Sequence, residues 1–181
     1  MAAVQYTDVV VVEEGQGQGG EVLQMGPVTI RILEDGRHTD NRIGSMVLTI
    51  QPRTPGPPIH WHRMHDETFL ITSGRVRFTT IKAATANSSG PGGPELKSDE
   101  SLREDLDAKA GDYVVVPTRS IHTFSNPWDE EASFFNTFTP AYYVDYLRML
   151  AKAINEAQSG GKKLTEDEQR EVMAQFATFE P

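Results

Sequence analysis

The stretch PPIHWHRMHDETFLITSGRV, Pro57–Val76, places histidines and acids directly before an apolar run. It contains three of the chain's 5 histidines, and Asp66 and Glu67 follow them at once. The residues that come next are mostly apolar or β-branched and end at Gly74, which is typical of a short strand closed by a turn. The stretch therefore predicts imidazole and carboxylate groups at the start of a strand.

His60 and His62 are separated by one residue, and side chains at i and i+2 of a strand point to the same face. Two neutral imidazoles that converge in this way are suited to bind a metal. Glu67 follows a short turn and begins the next strand, so an antiparallel pairing would return its carboxylate to the same place. Trp61 points the other way in this pattern, and we interpret it as outer packing.

A further histidine lies in the stretch GDYVVVPTRSIHTFSN, residues 111–126. Pro117 ends an apolar strand in it, a turn follows, and His122 opens the returning strand. His122 would complete a set of three imidazoles and one carboxylate. We predict that this set holds one divalent transition metal, Fe, Mn, Ni, Co, Cu or Zn, with positions left for substrate or water.

Length and charge exclude several classes of protein. The 181 residues fit one domain, which we place at 1–181. A net charge of −9 argues against nucleic acid as a partner, because binding to the phosphate backbone needs a basic face. The chain has no cysteine, so disulfides and thiolate ligands are excluded. We see neither a signal peptide nor an apolar run of about 20 residues, and we predict a cytoplasmic protein that binds no membrane.

Short apolar runs separated by turn residues recur up to residue 138. This rhythm is typical of an antiparallel sandwich or barrel rather than of alternating strands and helices. We predict strands at Val9–Val12, Val28–Leu33, Ser45–Gln51, Glu67–Thr72, Arg75–Ile81, Tyr113–Val116, His122–Ser125 and Ser133–Phe138.

Residues 83–108 interrupt the strand pattern, since they are rich in Gly, Pro, Ser and acids and nearly lack apolar side chains. Such a segment is either a lid over a site or a poorly ordered excursion. The scarcity of apolar anchors favours a mobile, dispensable excursion.

Residues 139–181 have a helical period. Thr139 and Pro140 favour a helix start, because proline suits the first helical turn. Gly160 is predicted to end this helix, and the capping box Thr165–Glu168 to open a shorter second one. The first helix would dock through one apolar stripe: Tyr143, Leu147, Leu150 and Ile154.

The two histidine stretches together resemble the two motifs of the cupin superfamily. From His60 onward the first motif matches, with Glu67 four residues after the histidine pair and Gly74 six residues after Glu67. The leading glycine of that motif falls at Gly56, which is too close to the histidines to fit.

The second motif matches in spacing at four positions, but Arg119 stands where the family has a turn glycine. Because that glycine serves a turn with positive φ, which arginine disfavours, we expect a different turn type here. The four matching positions are Gly111, Pro117, His122 and Asn126.

The resemblance implies an all-β fold, a small barrel or jelly roll of two antiparallel sheets with two helices packed outside it. The barrel would cover about residues 22–138, and the helical extension residues 139–181. The resemblance also implies a homodimer and a metal held inside the barrel by His60, His62, Glu67 and His122.

The chain is similar, too, to single-domain proteins described as quercetin 2,3-dioxygenase-like. This similarity implies a dioxygenase acting on a small aromatic or polyketide-like substrate. Because a fold does not fix a reaction, two alternatives stay open. One is non-redox lyase, isomerase or cyclase chemistry at the same metal, and the other is a small-molecule binding module with a structural metal.

Further side chains are candidates for parts of such a site. Glu67 is a candidate proton acceptor as well as a ligand. His65 lies between His62 and Glu67, and is either a catalytic proton carrier or a histidine at the rim. Four apolar side chains have the parity to line a substrate pocket, although ordinary core packing explains them equally well: Phe69, Ile71, Phe78 and Phe124.

Overall fold

A computed structural model of the chain describes residues 9–82 and 99–181. The strands in this part of the chain are β1 Val22–Met25, β2 Val28–Glu34, β3 Gly44–Ile50, β4 Trp61–His62, β5 Asp66–Ser73, β6 Arg75–Ile81, β7 Arg103–Lys109, β8 Tyr113–Val116, β9 Ile121–Ser125, β10 Ala132–Thr139 and β11 Thr178–Phe179. The helices are α1 Tyr143–Ser159 and α2 Glu166–Gln175, with short 3-10 turns at Gln18–Gly20 and Glu100–Leu102.

Antiparallel sheets form the body of the molecule. The largest has the strand order β1-β2-β3-β10-β5-β8, and a second has the order β7-β6-β9. The short strand β4 pairs with β11 from the end of the chain. Strands such as β10 alternate between buried and partly exposed residues, as expected when one face of a sheet covers a core. The predicted architecture of antiparallel sheets followed by two helices is confirmed.

The main core is filled by side chains of the two larger sheets and of the helices. Burying one such aliphatic or aromatic side chain contributes about 1.5–3 kcal/mol. The largest sheet supplies, among others, Ile30, Ile32, Leu48, Phe69, Phe134 and Phe138. A second, smaller cluster joins Trp61 to Ile81 and Ile121, so Trp61 packs away from the main core.

Helix α1 closes one side of the main core through the predicted stripe. Tyr143, Leu147 and Leu150 are buried there. The helix ends at Gly160 as expected, and the capping box at Thr165 opens α2. The predicted start was too early, because Thr139 still pairs with Asp66 in the sheet and the helix begins only at Tyr143.

The polar segment predicted as a mobile loop divides into two parts. Residues 83–98 lie outside the described residues. From Arg103 onward the loop prediction is wrong, because β7 pairs with β6 along its whole length. Its charged side chains are exposed yet find partners across the ladder, as when Arg77 binds Asp107 at 2.7 Å. Only Ala108 of this strand is buried, so its sequence shows no apolar alternation.

The valine run Val9–Val12 was predicted as a strand, and that prediction is wrong. These residues are irregular, and Val9 is 94% exposed. Two short strands went unpredicted instead, β1 and β11. No helix in the described ranges is long and apolar enough to cross a membrane.

Candidate metal centre

Four imidazoles and one carboxylate meet inside the barrel. His62 lies on β4, Glu67 near the start of β5 and His122 on β9, while His60 precedes β4. All of these side chains are buried, and so is the imidazole of His65 from the β4–β5 turn. The predicted approach of Glu67 to the histidines is found, but the pairing expected to cause it is not, because β4 pairs with β11 and β5 with β8 and β10.

The backbone itself joins the two histidine stretches. The His60 N–H donates to the His122 carbonyl at 2.9 Å, and the His122 N–H donates back to the His60 carbonyl at 2.8 Å. This reciprocal pair sets the two imidazoles side by side, with ring centroids 4.6 Å apart. The i, i+2 spacing then brings His62 to the same group, with its ring centroid 4.8 Å from that of His60.

The carboxylate of Glu67 faces three imidazole nitrogens. Its Oε1 lies 3.6 Å from His62 Nε2 and 3.5 Å from His65 Nε2, and its Oε2 lies 3.5 Å from His122 Nε2. These separations exceed an ordinary hydrogen bond but suit atoms that share one ion at about 2.0–2.2 Å each. The side chains form two candidate ligand sets, and within each set the ligand atoms lie no more than 4.8 Å apart. The sets are His60–His62–His122 and His62–His65–Glu67.

The other ring nitrogen of three histidines is held by a fixed partner. His60 Nδ1 lies 2.7 Å from the Pro58 carbonyl, and His122 Nδ1 lies 2.9 Å from the Ser120 carbonyl. A carbonyl only accepts, so these Nδ1 atoms carry the hydrogen and leave Nε2 with a free lone pair. His62 Nδ1 lies 3.0 Å from Thr178 Oγ1 on β11. Such outer partners orient imidazoles for metal binding.

The nitrogens that point inward lack partners among the described atoms. Nε2 of His62, of His65 and of His122 is fully buried and makes no hydrogen bond. Leaving a buried polar atom unpaired costs about 1–3 kcal/mol, and native proteins rarely tolerate several of them together. A cation held by His60, His62, His122 and Glu67 would satisfy the Nε2 atoms of His62 and His122, so the residues present fit a divalent transition metal.

The charge state of the cluster also suits a cation. Burial, together with the neighbouring imidazoles, holds the pKa of His60 well below its usual value. Burial likewise lowers the pKa of His62 to about 4. Burial raises the pKa of Glu67, but the imidazoles that face it outweigh this effect and bring the pKa below its usual range. Neutral imidazoles and an ionised carboxylate are the forms that bind metal.

His65 is not a histidine at the rim, and that interpretation is wrong. Its side chain is 5% exposed, and its ring lies 3.9 Å from that of His62 and 4.6 Å from that of Tyr143. The neighbouring Met64 of the same turn is 60% exposed, so His65 is the turn residue that points inward. The sequence did not indicate this burial, because His65 stands in a polar stretch directly before Asp66 and Glu67.

Arg119 adopts the turn conformation that glycine has in the family motif. Its φ is +71°, and the turn is closed by the Ser120 N–H donating to the Pro117 carbonyl at 3.0 Å. The expected change of turn type is therefore wrong. The Arg119 N–H donates to the His62 carbonyl at 2.8 Å, which supports the strained residue and ties the β8–β9 turn to β4.

A cavity of about 280 Å³ lies between the largest sheet and α1, and His60 and Glu67 form part of its wall. Two of the predicted pocket residues, Phe69 and Phe124, line it. The other two, Ile71 and Phe78, do not line it and are buried in the main core. Helix α1 was predicted only to dock on the barrel, but it supplies five wall residues: Tyr143, Tyr146, Leu147, Leu150 and Ile154.

Several solved structures share this fold at low sequence identity. The oxalate decarboxylase of Lactobacillus farciminis, in its formate complex, is 20% identical with a TM-score of 0.50, over 66% of this chain and 31% of that chain. The oxalate decarboxylase of Bacillus subtilis gives 20% and 0.50, over 67% and 28%. An oxalate oxidase gives 13% and 0.51, over 77% and 62%.

The chain thus spans about a third of the length of those decarboxylases, 31% and 28%. At such identities the likeness concerns the fold alone. Comparison with curated proteins gives no match. The family model described as Cupin matches residues 39–156, which include both histidine stretches and most of α1. Because that match covers well over half of the sequence, the chain belongs to the cupin superfamily.

Proposed function

We propose that this chain is a metal-dependent enzyme that acts on a small, uncharged and largely apolar molecule. The observation that carries the proposal is the cavity beside the ligand cluster. Its wall is mostly aliphatic and aromatic, and no Lys or Arg of the described residues lines it. A pocket of this kind favours an apolar ligand held by a few polar groups.

The same wall disfavours oxalate as the substrate, although oxalate enzymes share the fold. Oxalate carries two negative charges, and burying a charge without a partner is costly. Any metal would offset part of this charge, but Glu67 in the wall adds a further negative charge nearby. The substrate class therefore follows from the cavity and not from the structural neighbours.

His60, His62, His122 and Glu67 would hold the metal. A divalent transition metal bound there would polarise a substrate oxygen and, if redox-active, would support reaction with dioxygen. Glu67 lines the cavity as a carboxylate, so it is placed to accept a proton from a substrate hydroxyl. Burial raises the pKa of Tyr143 well above its usual value, so its phenol stays neutral. Its ring lies in the cavity wall, where it helps to exclude water.

The reaction we propose is oxidation of a hydroxylated aromatic molecule by dioxygen, in the manner of a quercetinase-like dioxygenase. Aromatic walls at Phe69, Phe124 and Phe134 suit a ring substrate. Non-redox lyase or isomerase chemistry is the second candidate. It is favoured by the carboxylate of Glu67 and the phenol of Tyr143 in one wall, because an acceptor and a hydrogen-bond donor beside a Lewis-acidic metal need no oxidant.

The test is oxygen uptake by full-length protein loaded separately with Fe, Mn, Ni, Co, Cu or Zn, against a panel of phenols and flavonols. A dioxygenase consumes oxygen with a redox-active metal and not with zinc. Product formation that persists with zinc in the absence of oxygen establishes the lyase or isomerase instead. If the protein binds these molecules but forms no product with any metal, the enzyme proposal is overturned. The remaining hypothesis is then a small-molecule binding module with a structural metal.

Glu67→Gln separates the two roles of Glu67, because it keeps the size of the side chain and removes its charge. Loss of metal together with activity identifies Glu67 mainly as a ligand. Retention of metal with turnover reduced about 10²- to 10⁴-fold identifies it mainly as the base. Since both carboxylate oxygens face imidazole nitrogens, we expect loss of metal.

A further inference from the structure

One polar atom in the cavity wall is left without a partner. Asn136 on β10 is 1% exposed and lines the cavity. Its Nδ2 donates to the Thr68 carbonyl at 3.0 Å, whereas its Oδ1 has no hydrogen-bond partner among the described atoms. Because the Thr68 carbonyl only accepts, the nitrogen must face it, and the free atom is the oxygen.

The neighbours of Asn136 on the sheet do not supply a donor. Its neighbours across the two ladders are Met46 and Phe69, and the next residues on its own face of β10 are Phe134 and Phe138. These four side chains carry no hydrogen-bond donor that could pair with an amide oxygen. The Oδ1 atom is thus an unpaired acceptor whose neighbours on the sheet are apolar.

Asn126 shows that a buried asparagine in this fold can use both ends of its amide. Its Nδ2 donates to the Glu130 carbonyl at 2.7 Å, and its Oδ1 accepts from the Trp128 N–H at 3.2 Å. Asn126 fixes a loop and has no free atom for a ligand. Asn136 is held at one end only, and buried polar atoms in native proteins are nearly always paired.

The position of Asn136 relative to Glu67 defines a second polar point in the cavity. On β10, Phe138 stands opposite Glu67, and Asn136 stands opposite Phe69. Two residues along a strand correspond to about 7 Å. The cavity therefore has a polar end at His60 and Glu67 and an unpaired acceptor, Asn136 Oδ1, about 7 Å away along the sheet.

We infer that Asn136 is a specificity residue, whose Oδ1 accepts a hydrogen bond from a hydroxyl group of the substrate. This inference rests on the proposed function and narrows its substrate class to ring molecules with a hydroxyl donor apart from the group that faces Glu67. An acceptor-only group at that point, such as a ketone, an ether or a carboxylate, would leave Oδ1 unpaired or would repel it. Selectivity of this kind depends on polar atoms left unpaired by the wrong ligand.

The experiment compares 2-naphthol with 2-methylnaphthalene, which have similar shapes and differ in the hydroxyl donor. Their dissociation constants are measured by calorimetry on the full chain, once metal-free and once loaded with zinc. We expect the wild type to prefer 2-naphthol about five- to tenfold in both states. Asn136→Leu should bring this ratio to about one in both states, because the contact does not involve the metal.

Gln18→Leu is the matched control. It also removes a buried amide whose oxygen lacks a partner, but Gln18 does not line the cavity. The preference for 2-naphthol should survive in this variant. A ratio that falls equally in both variants would reflect general loosening of the protein and would overturn the inference.

A third probe, 2-methoxynaphthalene, tests the inference without any substitution, in case Asn136→Leu does not fold. Its ether oxygen accepts but does not donate, so the wild type should bind it no better than 2-methylnaphthalene. Equal binding of the ether and 2-naphthol would overturn the role of Asn136.

The outcomes also separate this inference from the proposed function. A preference for 2-naphthol that appears only with zinc and survives Asn136→Leu assigns the hydroxyl to the metal. That result overturns the inference and leaves the enzyme intact. If the preference depends on Asn136 but no metal supports turnover, the inference holds and the proposed enzyme is overturned.

Discussion

The two sides of the cavity are built differently. On the side of β4, β5 and β9, the candidate ligands are held by directional hydrogen bonds, such as the one between His122 Nδ1 and the Ser120 carbonyl. On the side of α1, the wall consists of packed rings and aliphatic chains, with Tyr143 stacked on Tyr146 at 4.8 Å. Directional bonds fix where an atom points, whereas packing fixes volume. We therefore expect the strand side to decide metal binding and the helical side to decide stability.

The largest expected effect is loss of a ligand from the strand side. His122→Ala removes the imidazole that the second motif supplies, and metal affinity should fall by at least about 100-fold. The measurement is metal content after dialysis at a fixed concentration of free metal. His38→Ala is the control, since His38 bonds to Glu34 and Gln18 away from the cluster. Full metal content in His122→Ala would disprove the site.

A smaller effect on the same side is expected at the end of the chain. Thr178 on β11 donates its hydroxyl hydrogen to the Phe176 carbonyl, which leaves Oγ1 to accept from His62 Nδ1 at 3.0 Å and so to orient that ring. Thr178→Val keeps the shape of the side chain but removes the acceptor, and metal affinity should fall about tenfold. Thr178→Ser keeps a hydroxyl and should restore most of the affinity. Equal losses in both variants would mean that β11 acts only by packing.

Thr178 also shows where sequence reasoning about the site ended. The grouping of His60, His62 and Glu67 could be predicted, because a strand period and a short turn are local properties. Thr178 is 116 residues from its partner His62, and no local pattern reports such a contact. The role of Asn136 was not predicted for a similar reason, since a single asparagine in an apolar strand does not show that one of its atoms lacks a partner.

The fold shows the same difference between local features, which could be predicted, and long-range ones, which could not. The bounds of β6 and β8 were predicted without error, because turn residues flank both strands and both are rich in β-branched and aromatic side chains. Strand β7 was not predicted, since its side chains are charged and it forms a strand only by pairing with β6. The exposed valines before residue 13 had the opposite property, high strand propensity with no neighbouring strand.

On the helical side, Leu150→Ala should reduce stability without changing metal binding. Leu150 is buried in the main core, and such a truncation costs about 2–4 kcal/mol in the free energy of unfolding. Urea denaturation and metal analysis on the same preparations provide the measurement. The adjacent Met149 is 39% exposed, so Met149→Ala should stay within about 0.5 kcal/mol of wild type. Loss of metal from Leu150→Ala at unchanged stability would contradict the comparison.

The smallest expected effect lies where charge ties α1 to the barrel. Arg148 on α1 donates to Asp35 at 2.8 Å, and Arg37 donates to the same carboxylate at 2.6 Å. Burial raises the pKa of Asp35, but these hydrogen bonds outweigh it and hold the pKa below its usual value of 3.8. The unfolded chain therefore takes up this proton more readily than the folded protein does. It follows that Asp35 contributes stability above about pH 4 and loses that contribution as the pH falls further.

Asp35→Asn should accordingly lower the free energy of unfolding by about 1 kcal/mol at neutral pH, since Arg148 is partly exposed and keeps its bonds to Glu21. The difference from wild type should shrink below about pH 4, as measured by urea denaturation across the acidic range. Asp145→Asn is the control, because Asp145 also binds Arg148 but its side chain is 62% exposed, and its effect should be smaller at every pH. A difference for Asp35→Asn that stays constant into acid would mean that the carboxylate contributes by shape alone. The helical side would then be held by packing throughout, and its contrast with the strand side would be sharper still.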